Sequence, residues 1–281
     1  MTASTMKAPI GAPPMRRRRA RPGLGTYIEV DVIVADQACG DDAIDSAFAA
    51  IERIEDRMSP YRCQSDVARI NRAAIGEPVS IAAATREVLE MAHLLHHASD
   101  GLFDCTAEPD GGAGSTKRRA TLTDLEFVAS CMVVKNKPLR IDLGGIAKGY
   151  AVDGAVMALM AAGAAGGCVN AGGDLRVFGS TARHVHLRDP RDPARLVPLI
   201  DLLDAALATS ANYFSADALV TPLGRAVRRD AFDAGASVSV RAPSCMLADA
   251  LTKIVALSGD AQHALLARYD AEAIIFAPGL A

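Results

Sequence analysis

Residues 141–153 read IDLGGIAKGYAVD, an acid, two glycines, a lysine and a third glycine running into a helical pattern. The bare pair Gly144–Gly145 would let the backbone approach a ligand closely and adopt positive φ. A strand-to-helix turn of this kind presents free backbone N–H groups to an anion such as phosphate. Lys148 would add a cation to the same place, and Asp142 could accept from a ribose or a ring N–H. The spacing is neither GxxxxGK[ST] nor GxGxxG. A tight turn with a solvated lysine is the alternative reading.

The stretch MLADALTK (246–253) sets Asp249, Thr252 and Lys253 at i, i+3 and i+4, on one helix face. An acid and a hydroxyl so placed suit a hard cation bound through oxygen. An ordinary Asp–Lys helix pair, worth about 0.3–0.5 kcal/mol, explains the same spacing. NAGGD (170–174) reads as a hairpin turn or bulge that could also meet a ligand. His93, His96 and His97 have zinc-compatible spacing but no acid cluster or HExxH pattern beside them, so they read as packed or solvated rings. Cysteines at 39, 63, 105, 131, 168 and 245 form no CxxC pair and no disulfide framework. They read as small, mostly buried apolar residues, and free cysteines fit a reducing compartment.

These residues need elements to hold them. TYIEVDVIVA (26–35) alternates as a half-buried strand does. A turn at 40–42 is expected to lead into a helix over 42–59 ended by Pro60, with a second helix over 80–101 closed by Gly101. Residues 109–121 read as a Gly-rich polar loop. MVVKNKPLRIDL holds two short strands, and an Ala-rich helix follows Lys148. Strands are expected in GCVNAGGDLRVFG, HVHLRDP, RLVPLIDLL, ALATSANYF, ASVSVRAPS and AEAIIFAPG, with a helix over CMLADALTKIVALSG. Strands and helices mix without strict alternation. The class is therefore α+β, a largely antiparallel or mixed sheet core flanked by helices.

Formal net charge is -3, which gives no global field for nucleic acid. No apolar run reaches the roughly 18–20 residues of a membrane span. Residues 1–20 read as a disordered basic extension carrying Arg16 to Arg19, and residues 21–281 as a single domain. No apolar segment of the kind an export signal needs follows the arginines, so the cytoplasm is the expected location and the periplasm the alternative.

Six segments in order resemble the ApbE-type flavin transferases, the FAD:protein FMN transferases. IEDRMSPYRCQSDVARINRA resembles that family's MSxYxxxSxxxxxN segment, and GLFDCT its GxFDxT. IDLGGIAKGYAVD is close to its most specific motif. VNAGGDLRVFG, ALATSANY and the segment from ASVSVRAPS through the last long helix follow in the expected sequence. The resemblance covers nearly all of the chain from about residue 20 onward.

That resemblance implies two lobes with FAD in the cleft between them and Mg²⁺ on its diphosphate. It implies transfer of the FMN half to a Thr or Ser hydroxyl of an acceptor protein, with release of AMP. Carried over by motif, Tyr61, Phe103, Asp104, Asp142 and Lys148 would contact FAD, and Gly145, Asp249 and Thr252 would meet the metal.

Two departures stand out. The family usually has Thr four residues after the metal-site Asp, where this chain has Lys253. A charged lysine cannot ligate Mg²⁺, so either Thr252 serves or the ammonium replaces part of the cation's charge. The family's HIxDPxTG segment corresponds to 215–230, which contains no His. Asp217 or Asp230 could replace it as base, weakly at an ordinary carboxylate pKa. Asp217 and Lys253 are therefore the catalytic candidates. A non-catalytic FAD- or FMN-binding protein, or an FAD pyrophosphatase with water as acceptor, are the alternative functions.

Overall fold

A computed structural model describes residues 15–107, 120–189, 192–211 and 237–276. The first half contains β1 (Met15–Gly23), β2 (Thr26–Val34), α1 (Gln37–Met58), α2 (Asp66–Arg72), β3 (Val79–Ser80), α3 (Ala83–Ala98), β4 (Thr106–Ala107), β5 (Leu125–Ala129), β6 (Met132–Lys135) and β7 (Arg140–Ile141). The second half contains α4 (Ala147–Ala161), β8 (Gly166–Ala171), β9 (Asp174–Gly179), β10 (Arg183–Asp189), β11 (Asp192–Leu202), β12 (Ala206–Ala211), β13 (Ser237–Ala242), α5 (Cys245–Ser258), α6 (Ala264–Arg268) and β14 (Glu272–Phe276).

Seven strands form one antiparallel sheet in the order β1-β2-β8-β9-β12-β13-β14. The period-2 alternation divides its two faces. Val30 and Val32 of β2, Val169 of β8, and Ala206 and Ala208 of β12 join the main core. Cys168, Val177 and Leu207 point the other way, into a smaller cluster shared with Val185 and Leu202 of the β10–β11 hairpin. Helices α1, α4 and α5 pack side by side, and all three lie on the sheet. The same core continues through Val67, Val88, Leu89 and Val133 into a smaller layer of α2, α3 and the β3-β6-β5 sheet. The expected α+β class is the observed one.

The first strand corrects the sequence reading. Residues 15–20 belong to β1, paired along its whole length with β2, and not to a structureless extension. Apolar patterning misses this strand because salt bridges hold it. Arg16 binds the buried Asp31 at 2.8 Å and Arg18 pairs with Glu29. On the other face Arg17 meets Asp41 at 3.0 Å, and Arg19 and Arg21 meet Asp45 at 2.6 and 2.9 Å. A charged edge strand also blocks pairing with a second chain.

Helix α1 begins earlier than the expected turn at 40–42 allows. Asp36 caps it, its carboxylate accepting from the Cys39 N–H at 2.9 Å. Gly40 is buried within it, where a Cβ would sit 2.9 Å from Val34 Cγ2. Ser59, extended ahead of Pro60, ends it as expected.

Candidate active site

The IDLGG turn leaves β7 and enters α4. It is held from behind by Asn71 on α2, whose side chain accepts from Ile141 N–H at 2.6 Å and donates to Ile141 O at 2.9 Å. Asp142 is exposed and accepts from Gly144 N–H at 2.8 Å, which fixes the turn. Neither Gly144 nor Gly145 has the expected positive φ; the left-handed glycines nearby are Gly172 and Gly173 of the β8–β9 turn. At Gly145 a Cβ would find only ordinary contact distances. A Cβ there would lie 3.5 Å from both Cγ and Cε of Lys253 and 4.0 Å from the Phe103 ring. The turn, Phe103 and α5 therefore meet at one point.

Beneath the turn runs a row of alternating charges. Lys148, on the first turn of α4, forms an ion pair with Asp174 at the start of β9. Asp249, fully buried on α5, accepts from the Gly149 N–H of α4 at 3.2 Å through Oδ2. Its Oδ1 accepts from Lys253 Nζ at 2.9 Å. Lys253 Nζ also lies 2.7 Å from Ser210 Oγ of β12 and 3.1 Å from Thr252 Oγ1. Thr252 Oγ1 donates to the Asp249 carbonyl at 2.7 Å and lies 2.8 Å from Ser210 Oγ. The sequence's helix-face argument holds: both partners at i+3 and i+4 touch Asp249.

The charges tune one another. Burial alone would raise the Asp249 carboxyl, but Lys253 and Lys148 more than offset it and hold it below the ordinary range. Burial would lower Lys148, yet Asp249 and Asp174 outweigh it and keep the ammonium protonated. Burial, reinforced by the Asp249 charge, pushes Asp174 up to about 6.

Tyr61 and Asp104 take no part in the hydrogen bonds of this row. Tyr61 is 92 % exposed on the loop between α1 and α2. Asp104 is buried, accepting from Thr106 N–H at 2.9 Å, with its other oxygen 3.4 Å from His96 Nδ1. Burial raises its carboxyl. Asp217 falls outside the described residues, as do Asp230 and most of the 109–121 loop. His96 is buried against the Phe103 carbonyl at 2.9 Å, and among the described residues no His, Cys, Asp and Glu side chains group as a metal site. All six cysteines are free.

Of the expected Mg²⁺ ligands, Asp249 and Thr252 converge on the Lys253 ammonium, and Gly145 lies against that lysine's stem. Both Asp249 oxygens and the Thr252 hydroxyl are already engaged within the protein, two of these groups with Lys253 Nζ. This donor set does not fit a divalent ion.

Sequence reading missed two acids. Asp153 accepts from Cys245 N–H and Met246 N–H, each at 2.9 Å, and so caps α5 from the second turn of α4. It also pairs with Arg176 of β9 at 2.7 Å. For Asp174 the one sequence signal is its place directly after the two glycines of NAGGD. A cleft of about 920 Å³, lined in part by Arg53, Tyr150 and Met157, opens on the face of α4 opposite Lys148 and shares none of the row's residues.

Lysines and acids thus alternate beneath a glycine turn, where helices lie on an antiparallel sheet. The chain belongs to the ApbE family, whose model matches residues 24–275. It is 28% identical over 275 residues to the FAD:protein FMN transferase of Vibrio cholerae, spanning 85% of this chain and 80% of that one. Over 239 residues it is 27% identical to the Chlamydia pneumoniae protein of the same name, covering 75% and 74%. The solved flavin transferase ApbE from Vibrio cholerae has the same fold, with TM-score 0.75 at 23% identity over 94% of each chain. The ApbE protein of Thermotoga maritima gives TM-score 0.76 at 23% identity over 93% and 94%. Among the described residues no helix is long and apolar enough to cross a membrane.

Proposed function

We propose that this chain transfers the FMN moiety of FAD to a Thr or Ser hydroxyl of an acceptor protein and releases AMP. The observation that carries the reading is the lysine-bearing row set directly under the IDLGG turn, in a chain whose relatives are named for that reaction. The acceptor oxygen forms a bond to the FMN phosphorus, the bond from that phosphorus to the oxygen bridging to AMP breaks, and the hydroxyl proton passes to a base. Such transfer depends mainly on positioning and charge neutralisation. Lys148 and Lys253 supply the positive charge, and Gly145 leaves room for the diphosphate over Phe103. Asp142 stands at the exposed lip of the turn to orient the nucleotide. Tyr61 offers its ring to a flavin or adenine face, while Asp104 acts from behind by fixing the Phe103 segment. Asp217 is the proposed base. Mg²⁺ has no part in this reading, given the ammonium among its expected ligands.

The test uses the purified full chain with FAD and a Thr-bearing peptide, assayed with and without Mg²⁺. A fluorescent flavin–peptide band that survives denaturation, with AMP in equal amount, is expected. FMN and AMP without that band would make the protein a pyrophosphatase. Bound FAD without turnover would make it a flavin-binding protein.

A further inference from the structure

Resting on the flavin-nucleotide reading, we propose that Lys253 is the resident cation of this site and that the diphosphate is held without a divalent metal. The ammonium has three hydrogens and no lone pair. Its three neighbours are Asp249 Oδ1 at 2.9 Å, Ser210 Oγ at 2.7 Å and Thr252 Oγ1 at 3.1 Å, drawn from α5 and β12. One carboxylate and two hydroxyls around a point charge form the kind of oxygen shell a hard cation takes. The shell is closed on its far side as well. Asp249 Oδ2 is spent on the Gly149 N–H, and Thr252 donates to the Asp249 carbonyl.

Charge balance leads to the same assignment. The row holds two acids, Asp174 and Asp249, and two ammonium groups, Lys148 and Lys253. A divalent ion needs uncompensated negative charge to offset its lost hydration. Here Asp249 is fully buried and faces lysines on both sides, so that charge is already neutralised. Lys253 itself remains 25 % exposed in its side chain, with its stem against the Gly145 turn. Its charge thus reaches the surface where the turn would bring a diphosphate. Threonine at this position could give an oxygen to a metal but no charge, whereas lysine gives charge and no oxygen.

Two measurements test this, one without catalysis. The free Mn²⁺ resonance is followed by electron paramagnetic resonance as purified wild-type chain is added, and FAD association is titrated by calorimetry in EDTA and in Mg²⁺. Wild type is expected to leave the Mn²⁺ signal intact and to bind FAD with affinities agreeing within about two-fold in the two buffers. Lys253→Thr is expected to bind FAD about ten-fold more weakly in EDTA, and to recover in Mg²⁺ while taking up Mn²⁺. Uptake of one Mn²⁺ per wild-type chain, or FAD binding only with Mg²⁺, overturns this inference and leaves the transferase reading intact. Absence of FAD binding in both buffers overturns both. The wild-type measurements decide the matter even if Lys253→Thr does not fold.

Discussion

Asp249 and Lys253, one turn apart on α5, form a 2.9 Å ion pair in which the acid is wholly buried and the base reaches solvent. The pair ties three elements together, because Asp249 also receives the Gly149 N–H of α4 and Lys253 also reaches Ser210 of β12. Removing one partner of a buried pair leaves the other uncompensated, at a cost of about 3–5 kcal/mol. Asp249→Ala strands Lys253 and the Gly149 N–H, so it should lower unfolding free energy by about 3 kcal/mol or more. Lys253→Met leaves Asp249 beside Lys148 and should cost about 1–2 kcal/mol. Denaturant titration of both variants checks the order. Equal losses would show that Asp249 depends on Lys253 alone.

Gly149 sits where α4 and α5 are closest. An added Cβ would meet the Cys245 carbonyl, 2.6 Å from its carbon and 2.8 Å from Met246 N. Backbone cannot rotate away as a side chain tip can, so Gly149→Ala must separate the helices. The expected loss is about 2–3 kcal/mol, the upper part of the range for overpacking. FAD affinity should fall with it, since the Gly149 N–H to Asp249 contact lies in the same gap. A thermal melt within about 2 °C of wild type would contradict this close packing.

The fold was legible wherever burial follows a period, and the site wherever partners are near in sequence. Alternation marked β2, and helical spacing marked α1, α3 and α5. Spacing of three and four alone places Thr252 and Lys253 beside Asp249. Strand β1 was hidden because its side chains are arginines whose partners lie 15 and 24 residues away. Asn71 and Asp153 were hidden for the same reason, reaching groups 70 and 92 residues distant. A motif letter can record such a residue, but spacing along the chain cannot say what it holds. The left-handed φ expected at Gly144–Gly145 fell instead at Gly172–Gly173, where Asn170 accepts from Gly173 N–H at 2.9 Å.

Asp153 gives a separate test of how α5 is positioned. Its two oxygens receive the Cys245 and Met246 N–H groups, supplementing the Ser244 cap, whose hydroxyl accepts from Leu247 N–H at 3.3 Å. Loss of such capping costs about 0.5–2 kcal/mol. Asp153→Ala also frees Arg176, so about 2 kcal/mol is expected, whereas Ser244→Ala should cost about 1 kcal/mol or less. Hydrogen exchange should speed at residues 245–247 in the Asp153 variant and leave the C-terminal half of α5 protected. Uniform acceleration along α5 would mean the whole helix has detached.

His93 predicts how stability depends on pH. Its ring packs on Phe127 with centroids 5.3 Å apart, and its Nε2 has no partner. Burial, then the nearby charges of His96 and His97, push its pKa down to about 4 from an ordinary 6.5. Between those values the unfolded chain binds a proton that the folded chain refuses. Stability from this group is therefore full above about pH 6.5 and is lost as pH falls toward 4. Because the ring is only partly buried, solvent screening reduces the effect to about 1–2 kcal/mol. His93→Gln cannot take up that proton, so its stability should be flatter than wild type across this window. Denaturant titrations at pH 7, 6, 5 and 4.5 measure the slope, and parallel curves for the two proteins would remove His93 as its source.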